Sequence, residues 1–195
     1  MNKFAEIKKI KRAAYHEAGH AVANLIFGLP FQSISLKQEQ KPGYLIEDGQ
    51  KVDATFIYTI GIVFPEERND SVNKTLMAGI LDIKEALSSM AGPVAERIFV
   101  GKIDDQAQTG ARNDVQVIAA CCRAALSGSD NPEEWQKLPE MENLMVASIA
   151  AGADHLLRDN WISVKAIAEI LIEKKELGYM EASRIAEAKG LSKKG

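Results

Sequence analysis

The chain has 195 residues, 46% of them hydrophobic and 26% charged, which is enough length and apolar content for one domain to bury its own core. Twenty-four Lys and Arg stand against 27 Asp and Glu, a formal net charge of -3, so the chain lacks the basic field that gathers nucleic acid or anionic lipid. This composition excludes disordered, fibrous and nucleic-acid-binding classes and leaves a compact domain.

From about Phe4 to Phe27 the chain is rich in Ala, Lys, Glu and Leu, and Gly28-Leu29-Pro30 follows; good helix formers closed by glycine and proline predict one long helix. Its first residues are basic but lack the apolar run and cleavage site of a secretory signal, and a cytoplasmic protein is expected. Alternation in Phe31-Gln-Ser-Ile-Ser-Leu36, a turn signal at Lys41-Pro-Gly43 and the β-branched stretch Thr55 to Val63 predict a few antiparallel strands beside that helix. The longest uncharged run, Ala54 to Phe64, falls far short of the ~20 residues that span a bilayer, so no membrane span is expected.

Beyond Asp70-Ser71, the recurrence of Leu76, Ile80, Ile83 and Leu87 has helical spacing. Three further helices are predicted over about 110–127, 132–158 and 163–188. Thr109, Asn131 followed by Pro132, and Ser163 stand where caps belong, with Gly128 as a terminator. Cys121 and Cys122, the only cysteines, are adjacent and outside any Cys-x-x-Cys pattern, which suits buried small residues in a reducing compartment. The fold class expected is α+β, mainly helical. A single domain covers 1–195, with the first helix and small sheet at about 1–65 and a helical part at about 70–190.

The first helix contains Tyr15-His16-Glu17-Ala18-Gly19-His20-Ala21. Residues four apart on a helix share one face about a turn apart, so His16 and His20 can both reach one zinc ion. Glu17 then lies beside the open position, where a carboxylate takes a proton from water. A chance His-Glu-x-x-His on a solvated helix is the bland alternative. Gly19 costs about 1 kcal/mol against alanine in a helix, which points to another element approaching closely there.

A catalytic zinc takes three protein ligands, so one more donor is required. His155, the only other histidine, falls in a packing helix and reads as an ordinary polar-edge residue. Asp114, in the first turn of the helix expected after Thr109, would be kept ionised by the helix dipole, although an acid there also serves simply to complement that dipole. Glu96, in Val94-Ala-Glu-Arg97, is a rival donor whose usual fate is a surface carboxylate or a partner of a ligand.

Three segments in order carry a resemblance. Ala14-Tyr-His-Glu-Ala-Gly-His-Ala-Val22 closely resembles the signature of the FtsH family of zinc proteases. Ala91-Gly-Pro-Val-Ala-Glu-Arg-Ile-Phe-Val-Gly101 is similar to that family's Gly-Gly-Arg-x-Ala-Glu-Glu-x-x-x-Gly segment, and Thr109-Gly-Ala-Arg-Asn-Asp-Val115 to its Thr-Gly-Ala-x-Asn-Asp-Leu segment. Ile170-Leu-Ile-Glu-Lys-Lys-Glu-Leu-Gly178 looks like its Leu-Leu-Glu-x-x-x-Leu ending, so the likeness runs from about Arg12 to Ala186.

The resemblance implies zinc held by His16, His20 and Asp114, with Glu17 as catalytic base. Pro93 and Arg97 depart from the middle segment, which bears on the course of that helix. The family couples its peptidase to membrane helices and an ATPase, whereas this sequence contains no Gly-x-x-x-x-Gly-Lys-Ser/Thr phosphate loop. The expected activity is therefore metalloendopeptidase cleavage of unfolded or flexible protein segments, alone or with a separate ATPase that delivers them. A peptide would add along a sheet edge near the first helix. The alternative is a catalytically weak zinc-binding module that recognises an ATPase or other protein partner. Homo-oligomerisation is suggested by the family likeness alone.

Overall fold

The structure is a computed structural model that describes residues 3–47, 50–59, 61–63, 65, 83–101, 114, 118–119 and 138–191. It is α+β and mainly helical. In chain order its elements are helix α1 (Lys3–Phe27), strands β1 (Ser33–Ser35), β2 (Gln38–Glu47), β3 (Gln50–Thr59) and β4 (Ile62–Val63), helices α2 (Ile83–Val100), α3 (Leu138–Asp159) and α4 (Trp161–Lys174), strand β5 (Glu176–Gly178) and helix α5 (Tyr179–Ala188). Asp114 and Ile118–Ala119 are also helical.

Helix α1 runs through the centre. Every residue from Ala14 to Leu25 is buried, the mark of a helix packed on all sides. It lies chiefly against α2 and α4, and α2 packs in turn on α3. Ala14, Ala18, Ala21, Val22 and Leu25 meet Met90, Ala91, Val94 and Ala95 of α2 and Val164, Ile167 and Leu171 of α4 in one core. At Gly19 α1 and α2 approach closely: a Cβ added there would run into the Ala91 carbonyl oxygen and lie 2.6 Å from the Ala95 Cβ. The close approach expected at Gly19 is thus made by α2.

Helix α1 ends as its sequence predicts. Gly28 takes φ 68°, the Leu29 amide donates to Asn24 at 2.8 Å and the Gly28 amide to Leu25 at 3.4 Å, which is the paired bonding of a Schellman close. Beside α1 lies an antiparallel sheet of order β4-β1-β5. Its third strand is supplied by residues 176–178, so the sheet is not confined to the first 65 residues. Ile34 pairs with both Ile62 and Leu177, and Leu177 brings the chain's last third into the core.

Several sequence expectations need correction. Lys41-Pro-Gly43 is not a turn; it lies within β2, where Lys41, Pro42 and Gly43 pair with Phe56, Thr55 and Ala54. In a two-stranded ribbon each strand keeps an unpaired edge, and there a proline forfeits no ladder bond. The two strands are paired instead as far as Glu47 and Gln50. Thr55 to Val63 supplies the end of β3 and all of β4, which belong to different sheets.

The helix expected over 163–188 is two helices. Lys175 adopts φ 68°, its amide donating to Leu171, and β5 follows. Ser163 caps nothing. Asn160 holds the N-cap position without a side-chain capping bond, its side-chain amide nitrogen donating back to the Leu156 carbonyl, and Ser163 is buried inside α4. Helix α2 runs unbroken through Pro93. The helix expected over 132–158 is described from Leu138, while Thr109, Cys121, Cys122, Gly128, Asn131 and Leu76 lie outside the described residues. Among those residues no helix is long and apolar enough to cross a membrane.

Candidate metal centre

The buried centre of α1 carries polar side chains that burial alone would penalise: His16, Glu17 and His20 are each no more than 8% exposed. Neighbouring elements explain why they are tolerated. The His20 Nδ1 lies 2.8 Å from the Ser88 carbonyl oxygen of α2. A carbonyl can only accept, so Nδ1 carries the proton and Nε2 presents a lone pair. His16 Nδ1 faces Glu96 Oε2 at 3.4 Å, and the other Glu96 oxygen accepts from Arg12 Nε at 2.7 Å. The carboxylate between Arg12 and His16 therefore orients His16 in the same tautomer, with Nε2 turned inward.

The two Nε2 atoms lie 3.1 Å apart. Asp114 Oδ2 stands 3.4 Å from the Nε2 of His16 and 3.9 Å from that of His20. These three groups each offer one ligand atom, all within 4.8 Å of one another. Bond lengths of 2.0–2.2 Å and a tetrahedral angle place two zinc donors about 3.3 Å apart, so the spacing matches a shared four-coordinate ion. With both Nδ1 atoms committed outward, the Nε2 atoms and the Asp114 oxygen converge on one point, where a proton shared with His16 or a metal cation in its place offsets their repulsion.

The electrostatics carry the same signature. Burial alone would lower the His16 pKa, but its bonds to Asp114 and Glu96 and the charges of Glu17 and Asp114 hold it up to about 10. Burial likewise opposes ionisation of Asp114 and Glu96. The imidazoles beside Asp114, and His16 with Arg12 beside Glu96, nevertheless hold both carboxyls below the ordinary range. Two ionised acids flank two imidazoles in a site that favours positive charge at its centre.

Glu17 belongs to neither group. Burial raises its pKa most, against the lowering effect of His16 and His20; Asp114 raises it further, and the Ile62 amide, which donates to the carboxylate, lowers it. The net shift is upward, which brings a carboxyl toward the pKa of an effective base near neutrality. The Ser35 amide donates to the Gly61 carbonyl, and Ile34 opposes Ile62. The Ile62 backbone groups therefore turn away from β1, toward the outer edge of the described sheet and toward Glu17.

His16, His20 and Asp114 are thus brought together with Glu17 beside them. Glu96, the rival donor, stands behind His16 instead of in the triad. His155 is exposed, with Asp159 at 3.7 Å, and takes no part. Sequence reasoning missed Arg12, Ser88, Gly92 and Ile62. Ser88 and Ile62 act through backbone atoms, which leave no trace in side-chain patterns. Arg12 stands four residues before His16 on the same face, a spacing that could have pointed to it. Gly92 faces the His20 ring so closely that an added Cβ would strike Nε2 and lie 2.6 Å from Cε1. No family model matches the chain, and no curated protein matches it.

Proposed function

We propose that the chain is a zinc-dependent metalloendopeptidase of the FtsH-like kind, acting on unfolded or flexible protein segments. The observation that carries this reading is the convergence of His16 Nε2, His20 Nε2 and Asp114 Oδ2 on one point beside a buried glutamate. A structural zinc site closes its coordination with a fourth protein donor, whereas a catalytic one keeps a position open. Among the described residues three donors converge, and Glu17 stands next to them.

Bound zinc supplies Lewis acidity, polarising a scissile carbonyl and acidifying water. Glu17, its pKa raised by burial, takes the proton from the attacking water and returns it to the leaving amine. Glu96 and the Ser88 carbonyl hold the two imidazoles in the tautomer that points Nε2 inward. Strand β4, at the outer edge of the sheet and beside Glu17, offers an edge along which an extended peptide adds. Cytoplasmic location and delivery of substrate by a separate ATPase belong to the same proposal and rest on the sequence.

The test is zinc content per chain together with cleavage of an unfolded protein. The parent is expected to bind one zinc and cleave. Glu17→Gln should retain zinc and lose cleavage by at least ~100-fold, and Asp114→Ala should lose zinc. A parent that holds zinc but cuts no unfolded protein, with or without candidate ATPases, would sink the peptidase reading and favour a zinc-binding module.

A further inference from the structure

Gly61 lies one residue before the amide that donates to Glu17. Its backbone does not demand glycine, since Gly28, Gly101 and Gly190 are the described glycines with positive φ. Its surroundings do. A Cβ built on Gly61 would lie 2.9 Å from each Glu17 carboxylate oxygen and 3.1 Å from Cδ, and these three atoms are its nearest neighbours. Any L side chain at this position therefore points straight at the carboxyl group.

We propose that Gly61 is a positioning residue for Glu17: its bare Cα leaves the space the carboxylate fills, and the next amide, Ile62 N–H, fixes it there. Strand pairing makes this arrangement rigid. The Gly61 carbonyl accepts from the Ser35 amide at 3.2 Å and the Val63 carbonyl from the Gln32 amide at 2.7 Å, so the segment on both sides of Ile62 is fastened to β1. The Glu17 backbone is fixed equally well within the buried centre of α1. Between two such frames only the side chain of Glu17 can yield. A methyl group at position 61 displaces the carboxylate, the movable end of the contact, and leaves strand and helix in place.

The proposal rests on the peptidase reading for its catalytic meaning, but its geometry is testable without activity. In the metal-free full chain, the Ile62 amide proton should resonate downfield through its bond to the Glu17 carboxyl oxygen. Glu17→Ala should move it upfield, and Gly61→Ala should move it the same way by a comparable amount. In the zinc-loaded chain, Gly61→Ala should lower kcat by about 100-fold, the effect of misplacing a reacting group by ~1 Å, with KM and zinc content unchanged. Glu17→Asp shortens the acid and clears the added methyl, so the double variant should be less impaired than the product of the two single effects.

A Gly61→Ala protein whose Ile62 amide stays at the parent position overturns the proposal, whatever the activity. A normal kcat in Gly61→Ala overturns it too. If the parent does not cleave, the peptidase reading falls while the Ile62 spectra still decide the contact. Should Gly61→Ala fail to fold, Gly61→Ala with Glu17→Ala must fold, because the space is then free; failure of both also overturns it.

Discussion

Zinc entering the triad must expel a proton, and the size of that exchange follows from His16. Its folded pKa of about 10 lies far above neutrality, so the metal-free site holds close to one proton that the metal replaces. Asp114 and Glu96 are held below the ordinary carboxyl range and have nothing to release. Glu17 would contribute a second proton if a bound cation lowered its raised pKa, so the measurement belongs in Glu17→Gln. There, zinc affinity should climb about tenfold per pH unit, ~1.4 kcal/mol each, between about pH 6.5 and 8.5. Calorimetry in buffers of different ionisation enthalpy should report about one proton released per zinc at neutral pH. The sign for the metal-free fold is opposite: a raised histidine pKa stabilises below its unfolded value of 6.5, and that stabilisation is lost as pH rises through about 10. An affinity independent of pH, or release of less than about a fifth of a proton, would show that His16 does not carry the proton that the cation displaces.

Other substitutions probe the supports of the site separately. Glu96→Gln keeps the volume behind His16 but removes the charge facing Nδ1, and should weaken zinc affinity by roughly 10–100-fold with the fold retained, as read by competition with a chelating dye. Gly92→Ala normally gains up to ~1 kcal/mol in a helix interior. Here its Cβ would sit 2.7 Å from His20 Cδ2, so overpacking of about 1–3 kcal/mol should cancel the gain in a urea titration and reduce zinc per chain. A stabilised Gly92→Ala protein with full zinc content would contradict this packing of His20 against α2.

Much of the site was legible because its chemistry is written in side chains on one helix. His16 and His20 share a face by spacing alone, and Gly19 advertised the approach of α2. The third donor was less legible: a first-turn position made Asp114 the best placed carboxylate, but spacing could not tell a ligand there from an acid that merely complements the helix dipole, and Glu96 stood as a rival. Choosing between them required the resemblance, and the geometry then separated them by distance, Asp114 facing Nε2 and Glu96 facing Nδ1. The fold was readable where periodicity and terminators agreed, as in α1. It failed where tertiary pairing overrode local pattern. Glu176–Gly178 sits in a helical run but is drawn out by β1, a partner about 140 residues earlier that no local window contains. Proline and glycine misled at positions 42 and 43 because an unpaired strand edge tolerates them as readily as a turn does.

The state of Glu17 bears most directly on whether this centre performs chemistry. Burial lifts its pKa, outweighing the nearby imidazoles and the Ile62 amide, so the ionised acid costs the fold stability. A raised carboxyl pKa gives no penalty below the unfolded value near 4.5, and the penalty grows as pH rises toward the folded pKa. Glu17→Gln, neutral at every pH, should therefore unfold at the same denaturant midpoint as the metal-free parent at about pH 4 and at a higher one at about pH 7, while abolishing cleavage. A group retained at a cost to the fold is expected of a working site, where stability and activity oppose each other; a module that merely held metal would gain from losing it. Equal midpoints at both pH values would mean that burial does not penalise the Glu17 carboxylate, and with that the main physical reason for regarding it as a base would be gone.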